Sequence, residues 1–155
     1  MSLFLECSPP QVGRAILLSI KPKYSDLILS GKKRVEFRRA WAAEEVKLIA
    51  IYASSPVQRI VALVEVEEVI RGSSTALWSY CIERGGALTR RELFDYFEGK
   101  KQGCAILLGA LRKLNRPLDP RSLFKEFTPP QSFRYLTSTE LEKIEKKTAT
   151  DKGPA

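Results

Sequence analysis

Ser19-Ile-Lys-Pro-Lys-Tyr-Ser-Asp-Leu-Ile-Leu-Ser-Gly-Lys-Lys-Arg-Val-Glu-Phe-Arg-Arg39 holds the end of one strand, a helix, a glycine stop and a second strand. The first strand is the continuous apolar run Ala15-Ile-Leu-Leu-Ser-Ile20, and Lys21-Pro22 breaks it. Tyr24, Leu27 and Ile28 then recur at i, i+3 and i+4, which predicts one buried face of a short helix between Lys23 and Ser30. Gly31 stands where a helix-ending glycine belongs, because a residue without Cβ enters left-handed backbone at little cost. Arg34-Val-Glu-Phe-Arg38 alternates, which predicts a half-buried strand with Val35 and Phe37 on one side. Its polar side carries two cations, Arg34 and Arg38, flanking the carboxylate of Glu36.

The pattern continues outward from this segment. Val46–Ala53 reads as a buried strand, Ser54-Ser55-Pro56 as a turn, and the β-branched run Arg59–Ile70 as a long strand bent as in a barrel. Helical spacing over Thr75–Ile82 and Thr89–Phe97, separated by Gly85-Gly86, predicts an inserted helical pair. Thr89-Arg-Arg-Glu92 has the form of a capping box. Lys100–Gly109 returns to strand, Phe124–Phe133 is irregular around Pro129-Pro130-Gln131-Ser132, and Ser138 caps a last helix reaching about Lys147. Thr148–Ala155 is expected to fray. The chain thus divides into a lead-in (1–14), one domain (15–136), and a helix with a tail (137–155). About six strands with flanking helices and a helical insert fit an α+β fold built on a small open or closed barrel.

Composition narrows the chemistry. The net charge is +8 over 155 residues, and Lys21, Lys23, Lys32, Lys33, Arg34, Arg38 and Arg39 face only Asp26 and Glu36 within the early segment. Such a balance favours polyanions through counterion release. There is no histidine. Ser-His-Asp and Cys-His catalysis are therefore excluded, along with the commonest general base and zinc ligand. Cys7, Cys81 and Cys104 are odd in number and widely spaced, so neither a disulfide framework nor a metal site is expected. Cys81 and Cys104 read as small buried hydrophobes and Cys7 as an exposed thiol without a partner. No run approaches membrane-spanning length, no secretion signal is evident, and a reducing cytoplasm is the expected compartment. Glu65, Glu67 and Glu68 alternate between faces, so no metal and no cofactor is expected.

Gly31, Lys33, Glu36 and Arg38 form Gly-x-Lys-x-x-Glu-x-Arg behind a strand and helix, a pattern that resembles the opening of the ASCH family in the PUA-like superfamily. Tyr52-Ala-Ser-Ser-Pro56, Phe97-Glu-Gly99 and Pro129-Pro-Gln-Ser-Phe133 extend the resemblance over roughly residues 15–136. It implies a PUA-like β-barrel with a cleft beside the first helix, floored by the Gly-x-Lys segment. It also implies RNA binding. Some small bacterial members resemble amidohydrolases of acylated cytidine that use a lysine, a threonine and a glutamate, and another subgroup has been described as ribonucleases. Lys33 matches that lysine. Glu36 stands where the threonine would be, and Glu83 is the nearest candidate for the glutamate.

The expected site is a basic cleft for RNA or a nucleotide-like ligand. Lys33 would hold a phosphate or carbonyl, or act as a base if burial lowers its pKa; otherwise it is a solvated turn lysine. Glu36 would accept from a base or ribose edge, or move a proton, against simple pairing with its arginine neighbours. Arg38 would grip a phosphate, while Ser54, Ser55, Gln131 and Ser132 would line the rim. Trp41 is the aromatic favoured for stacking on a base, ahead of Tyr24, Trp78 and Phe133. The alternative function is hydrolysis of RNA or of a modified nucleoside, with Lys33 and Glu36 as the catalytic candidates. A partner-binding role for the last helix is a third reading.

Overall fold

The computed structural model describes residues 14–149. Cys7, most of the expected lead-in, and the tail beyond Ala149 lie outside the described residues. Along the chain run β1 (Arg14–Ile20), α1 (Pro22–Leu29), β2 (Val35–Arg38), β3 (Val46–Ala53) and β4 (Arg59–Gly72). There follow α2 (Ser74–Arg84), α3 (Arg90–Tyr96), β5 (Gly103–Leu118), β6 (Phe133–Tyr135) and α4 (Ser138–Ala149).

The strands form one sheet in the order β2-β5-β4-β3-β1-β6. β1 and β3 pair in parallel, and every other pairing is antiparallel. The sheet is open, with β2 and β6 at its edges, and it curls into a half-barrel. Register shifts at Ile60/Ala62, Val64/Val66 and Val66/Glu68 interrupt the β4–β5 ladder. Extra residues of this kind bend and twist the strand that carries them.

Alternation along the curled strands makes three cores. Ile16, Leu18, Ile49, Ile51, Ala62, Val64, Ile106 and Leu108 meet on the concave face. Leu17, Ala50, Tyr52, Leu63 and Leu114 face the other way, beneath Phe124 and Ile144. Val35, Phe37, Ala105 and Leu107 pack under Leu77, Cys81, Leu93 and Phe97 of the α2–α3 insert. Each fully buried aliphatic or phenylalanine side chain contributes about 1.5–3 kcal/mol through removal from water.

Three expectations change, the first being the cap of the last helix: Thr137, not Ser138, accepts from the Glu140 amide at 3.1 Å. β2 is buried on both faces rather than half-buried, because α2 and α3 cover Val35 and Phe37 while the curl encloses Glu36. The last helix extends to Ala149, and Thr148, expected in a frayed tail, is buried with its hydroxyl donating to Glu145 O at 2.8 Å. Cys81 and Cys104 are buried.

Candidate ligand-binding cavity

Parallel pairing sets the place of the site. Ile20 and Ala53 are register partners at the C-terminal ends of β1 and β3, so Lys21 and Ser54 leave the sheet at one rim. Ser54 N–H donates to Ile20 O at 2.9 Å and holds the two exits together. A cavity of about 460 Å³ opens there, walled by β2, the α2–α3 insert and the Pro129-Pro130 loop.

Lys33 reaches this cavity through the turn that ends α1. Gly31 adopts φ +83°, and the amides of Lys32 and Lys33 both donate to Leu27 O, at 2.9 and 3.0 Å. Arg34 N–H then joins Gly85 O at 2.6 Å, which ties the turn to the insert. Lys33 is only 3% exposed, so it is no solvated turn lysine. Its Nζ donates to Gly86 O at 2.5 Å and lies 5.4 Å from the ring centroids of both Tyr24 and Phe37. Burial pulls its pKa below the ordinary lysine value, and the charge of Glu36 partly offsets this.

Glu36 and Arg38 share the concave side of β2. Nε and Nη2 of Arg38 both approach Oε2 of Glu36 at 3.1 Å. Arg38 Nη2 also donates to Ser19 O at 2.7 Å. Ser19 in turn donates from its hydroxyl to Pro130 O at 2.8 Å and from its amide to Ser132 O at 3.2 Å. This residue pins both the β2 edge and the proline loop.

The insert supplies Leu88, Glu92 and Tyr96. Thr89 and Glu92 exchange side chain-to-backbone hydrogen bonds at 2.8 and 3.0 Å, the capping box expected for α3. The Thr89 amide holds the Glu92 carboxyl below its usual pKa, and burial pushes the Tyr96 phenol up.

Of the expected residues, Lys33, Glu36, Arg38, Ser54 and Gln131 line the cavity. Trp41, Ser55 and Ser132 do not. Trp41 is half-buried and packs on Phe133 at 6.3 Å between centroids, beside the concave core and outside the cavity lining. Ser55 is exposed in the turn, and Ser132 contributes its carbonyl to Ser19. Glu83 lines a separate depression with Gly31, Lys32, Arg34, Arg84 and Gly85. The cavity is also less basic than the segment that builds it: Lys21, Lys33 and Arg38 face Glu36 and Glu92. Among the described residues no three His, Cys, Asp or Glu side chains gather as metal donors.

The ASCH domain family model matches residues 18–145. The chain belongs to the ASCH domain family. An ASCH domain-containing ribonuclease of Zymomonas mobilis is 34% identical over 135 residues, covering 83% of this chain and 88% of that one. The crystal structure of the Zymomonas mobilis ASCH protein superimposes with a TM-score of 0.78 at 31% identity, over 86% of this chain and 94% of that one. Large ribosomal subunit protein uL22 of Ureaplasma parvum is 25% identical over 127 residues, 81% of this chain but 40% of that protein. The fold is therefore the α+β, PUA-like half-barrel of ASCH domains.

In this ASCH domain the residues that sequence reasoning missed are Ser19, Lys21, Glu92, Tyr96 and Leu88. Glu92 carried a signal, since its capping box was legible, but a cap accounts for a glutamate without any cavity. Ser19 and Tyr96 carried none: each is placed by contacts with residues far along the chain, Pro130 and Arg39 respectively. Chemically, the cavity offers an amine of lowered basicity, one carboxylate paired to a guanidinium, a second carboxylate at the rim, and aromatic walls. Among the described residues no helix is long and apolar enough to cross a membrane.

Proposed function

We propose that this ASCH domain binds single-stranded RNA, with one unstacked nucleotide entering the Lys33 cavity. The observation that carries the reading is the enclosure of Lys33, held on Gly86 O beside the rings of Tyr24 and Phe37 in a cavity of about 460 Å³. Aromatic walls with a few convergent polar groups suit a splayed-out base, the feature by which single-stranded RNA is usually read. The net charge of +8 supplies attraction to the strand. The 34%-identical relative, named a ribonuclease, fits this setting.

The test is fluorescence anisotropy of a short labelled single-stranded RNA across a salt series, with wild type and Lys33→Ala. Salt-dependent binding that drops at least tenfold in the variant is expected. Binding equal in both, or none at low salt, overturns the reading.

A second reading, hydrolysis of RNA, is favoured by the name of the 34%-identical relative together with the lowered pKa of Lys33. A neutral Lys33 amine would take the proton of a ribose 2′-hydroxyl as its oxygen bonds to phosphorus and the P–O5′ bond breaks, the departing 5′-oxygen taking a proton from water. Cleavage that rises with pH as Lys33 deprotonates supports it; a flat profile, or full activity in Lys33→Ala, removes it.

A further inference from the structure

The carboxylate of Glu36 is used on one side only. Oε2 takes both contacts from Arg38, while Oε1 has no hydrogen-bond partner among the described residues. Glu36 is 7% exposed and lines the cavity. A buried carboxylate oxygen of this kind calls for a donor, and a ligand that displaces solvent from it must bring one. Lys33 presents the opposite need. One of its three protons is on Gly86 O, no salt bridge links it to Glu36, and the residue lines the same cavity.

Phosphate fits this pair poorly. The phosphodiester of RNA offers acceptors only, and it would meet the carboxylates of Glu36 and Glu92 in the same cavity. A nucleobase edge offers a donor and an acceptor side by side. We infer that the cavity reads a nucleobase edge, with Glu36 Oε1 accepting a base N–H and Lys33 Nζ donating to the neighbouring ring nitrogen or carbonyl, while the phosphates stay outside. This deepens the RNA reading and rests on it for the source of the base. Glu36 is then the residue that sets specificity, and Arg38 is the positioning residue that turns its free oxygen into the cavity.

The experiment is calorimetry of the full chain with free nucleosides, each set against a partner lacking the donor. Adenosine is paired with purine riboside, cytidine with pyrimidin-2-one riboside, uridine with N3-methyluridine, and guanosine with 1-methylinosine. Inorganic phosphate and ribose 5-phosphate are titrated alongside, and the labelled RNA separately. At least one nucleoside is expected to bind at least tenfold more tightly than its donor-deleted partner, and Glu36→Gln, which turns an amide donor toward the ligand, is expected to abolish that preference. The comparison on wild type stands even if the variant fails to fold. Equal binding within every pair that binds, or displacement of the preferred nucleoside by ribose 5-phosphate, overturns the inference. RNA binding without any nucleoside binding overturns it and leaves the RNA reading intact. Nucleoside binding with the donor preference but without RNA binding keeps it and removes the RNA reading. Binding of neither overturns both.

Discussion

The guanidinium of Arg38 donates to the carbonyl of Ser19 at 2.7 Å, although β2 and β1 stand first and fifth in the sheet order. Among the described residues backbone pairing leaves β2 at an edge, with β5 as its strand partner. A side chain spans the gap where a closed barrel would use a ladder. The same guanidinium pairs with Glu36, so one residue both links the two strands across the curl and balances a carboxylate of the cavity.

Arg38→Ala removes the link to Ser19 and strips Glu36 of its partner in a poorly solvated place. The expected loss is about 1.5–3 kcal/mol, the range for hydrogen bonds to charged groups, read as a lower urea midpoint at unchanged slope. Arg38→Lys should restore less than half of it, because a single ammonium cannot serve Glu36 and Ser19 with the fork geometry. An unchanged midpoint would mean the link contributes no stability.

Lys33 makes stability depend on alkaline pH. Burial lowers its folded-state pKa below 10.5. Between the lowered value and 10.5 the unfolded chain binds more protons than the folded one, so stability rises with pH across that window. Below the window the full cost of the buried charge is present. The difference in unfolding free energy between wild type and Lys33→Met should climb with pH, by at most about 1.4 kcal/mol per pH unit. A difference independent of pH up to 10.5 would contradict the assignment.

Gly86 has no room for a methyl group. A Cβ there would lie 2.5 Å from Cys81 Sγ, 2.8 Å from the Phe37 ring and 2.9 Å from Cys81 Cα. Gly86→Ala must therefore shift the carbonyl that receives the Lys33 ammonium. A destabilisation of about 1–3 kcal/mol is expected, as for overpacked sites, together with weaker ligand binding. Unchanged binding in a folded variant would show that Lys33 is not held by this carbonyl in the working state.

Thr89 reaches the cavity through α3. Its capping box with Glu92 starts the helix that carries both Glu92 and Tyr96 to the wall. Thr89→Ala should cost about 1 kcal/mol and speed amide exchange in α3, with Thr89→Ser largely neutral. Equal exchange in Thr89→Ala and wild type would show that tertiary contacts alone hold α3.

Local pattern revealed most of the architecture because each element carries its own signal. The apolar run before Ile20, the Leu27–Ile28 face, Gly31 and the alternation of Val35 and Phe37 state strand, helix, stop and strand without help from the rest of the chain. The same segment placed Lys33, Glu36 and Arg38 beside one another. Trp41 illustrates the limit: its place beside Phe133, outside the cavity lining, depends on a residue far along the chain.

By itself the sequence determined the order and kind of the elements, the absence of histidine chemistry, and the concentration of cations near the second strand. Those are properties of composition and short-range periodicity, settled within a few residues. The tertiary structure alone decided that Lys33 is buried on Gly86, that one Glu36 oxygen has no hydrogen-bond partner among the described residues, and that Ser19, Glu92 and Tyr96 join the same wall. Burial, pKa and hydrogen-bond partners depend on which distant segments fold onto a residue, and here the curl of the sheet and the α2–α3 insert bring those segments in.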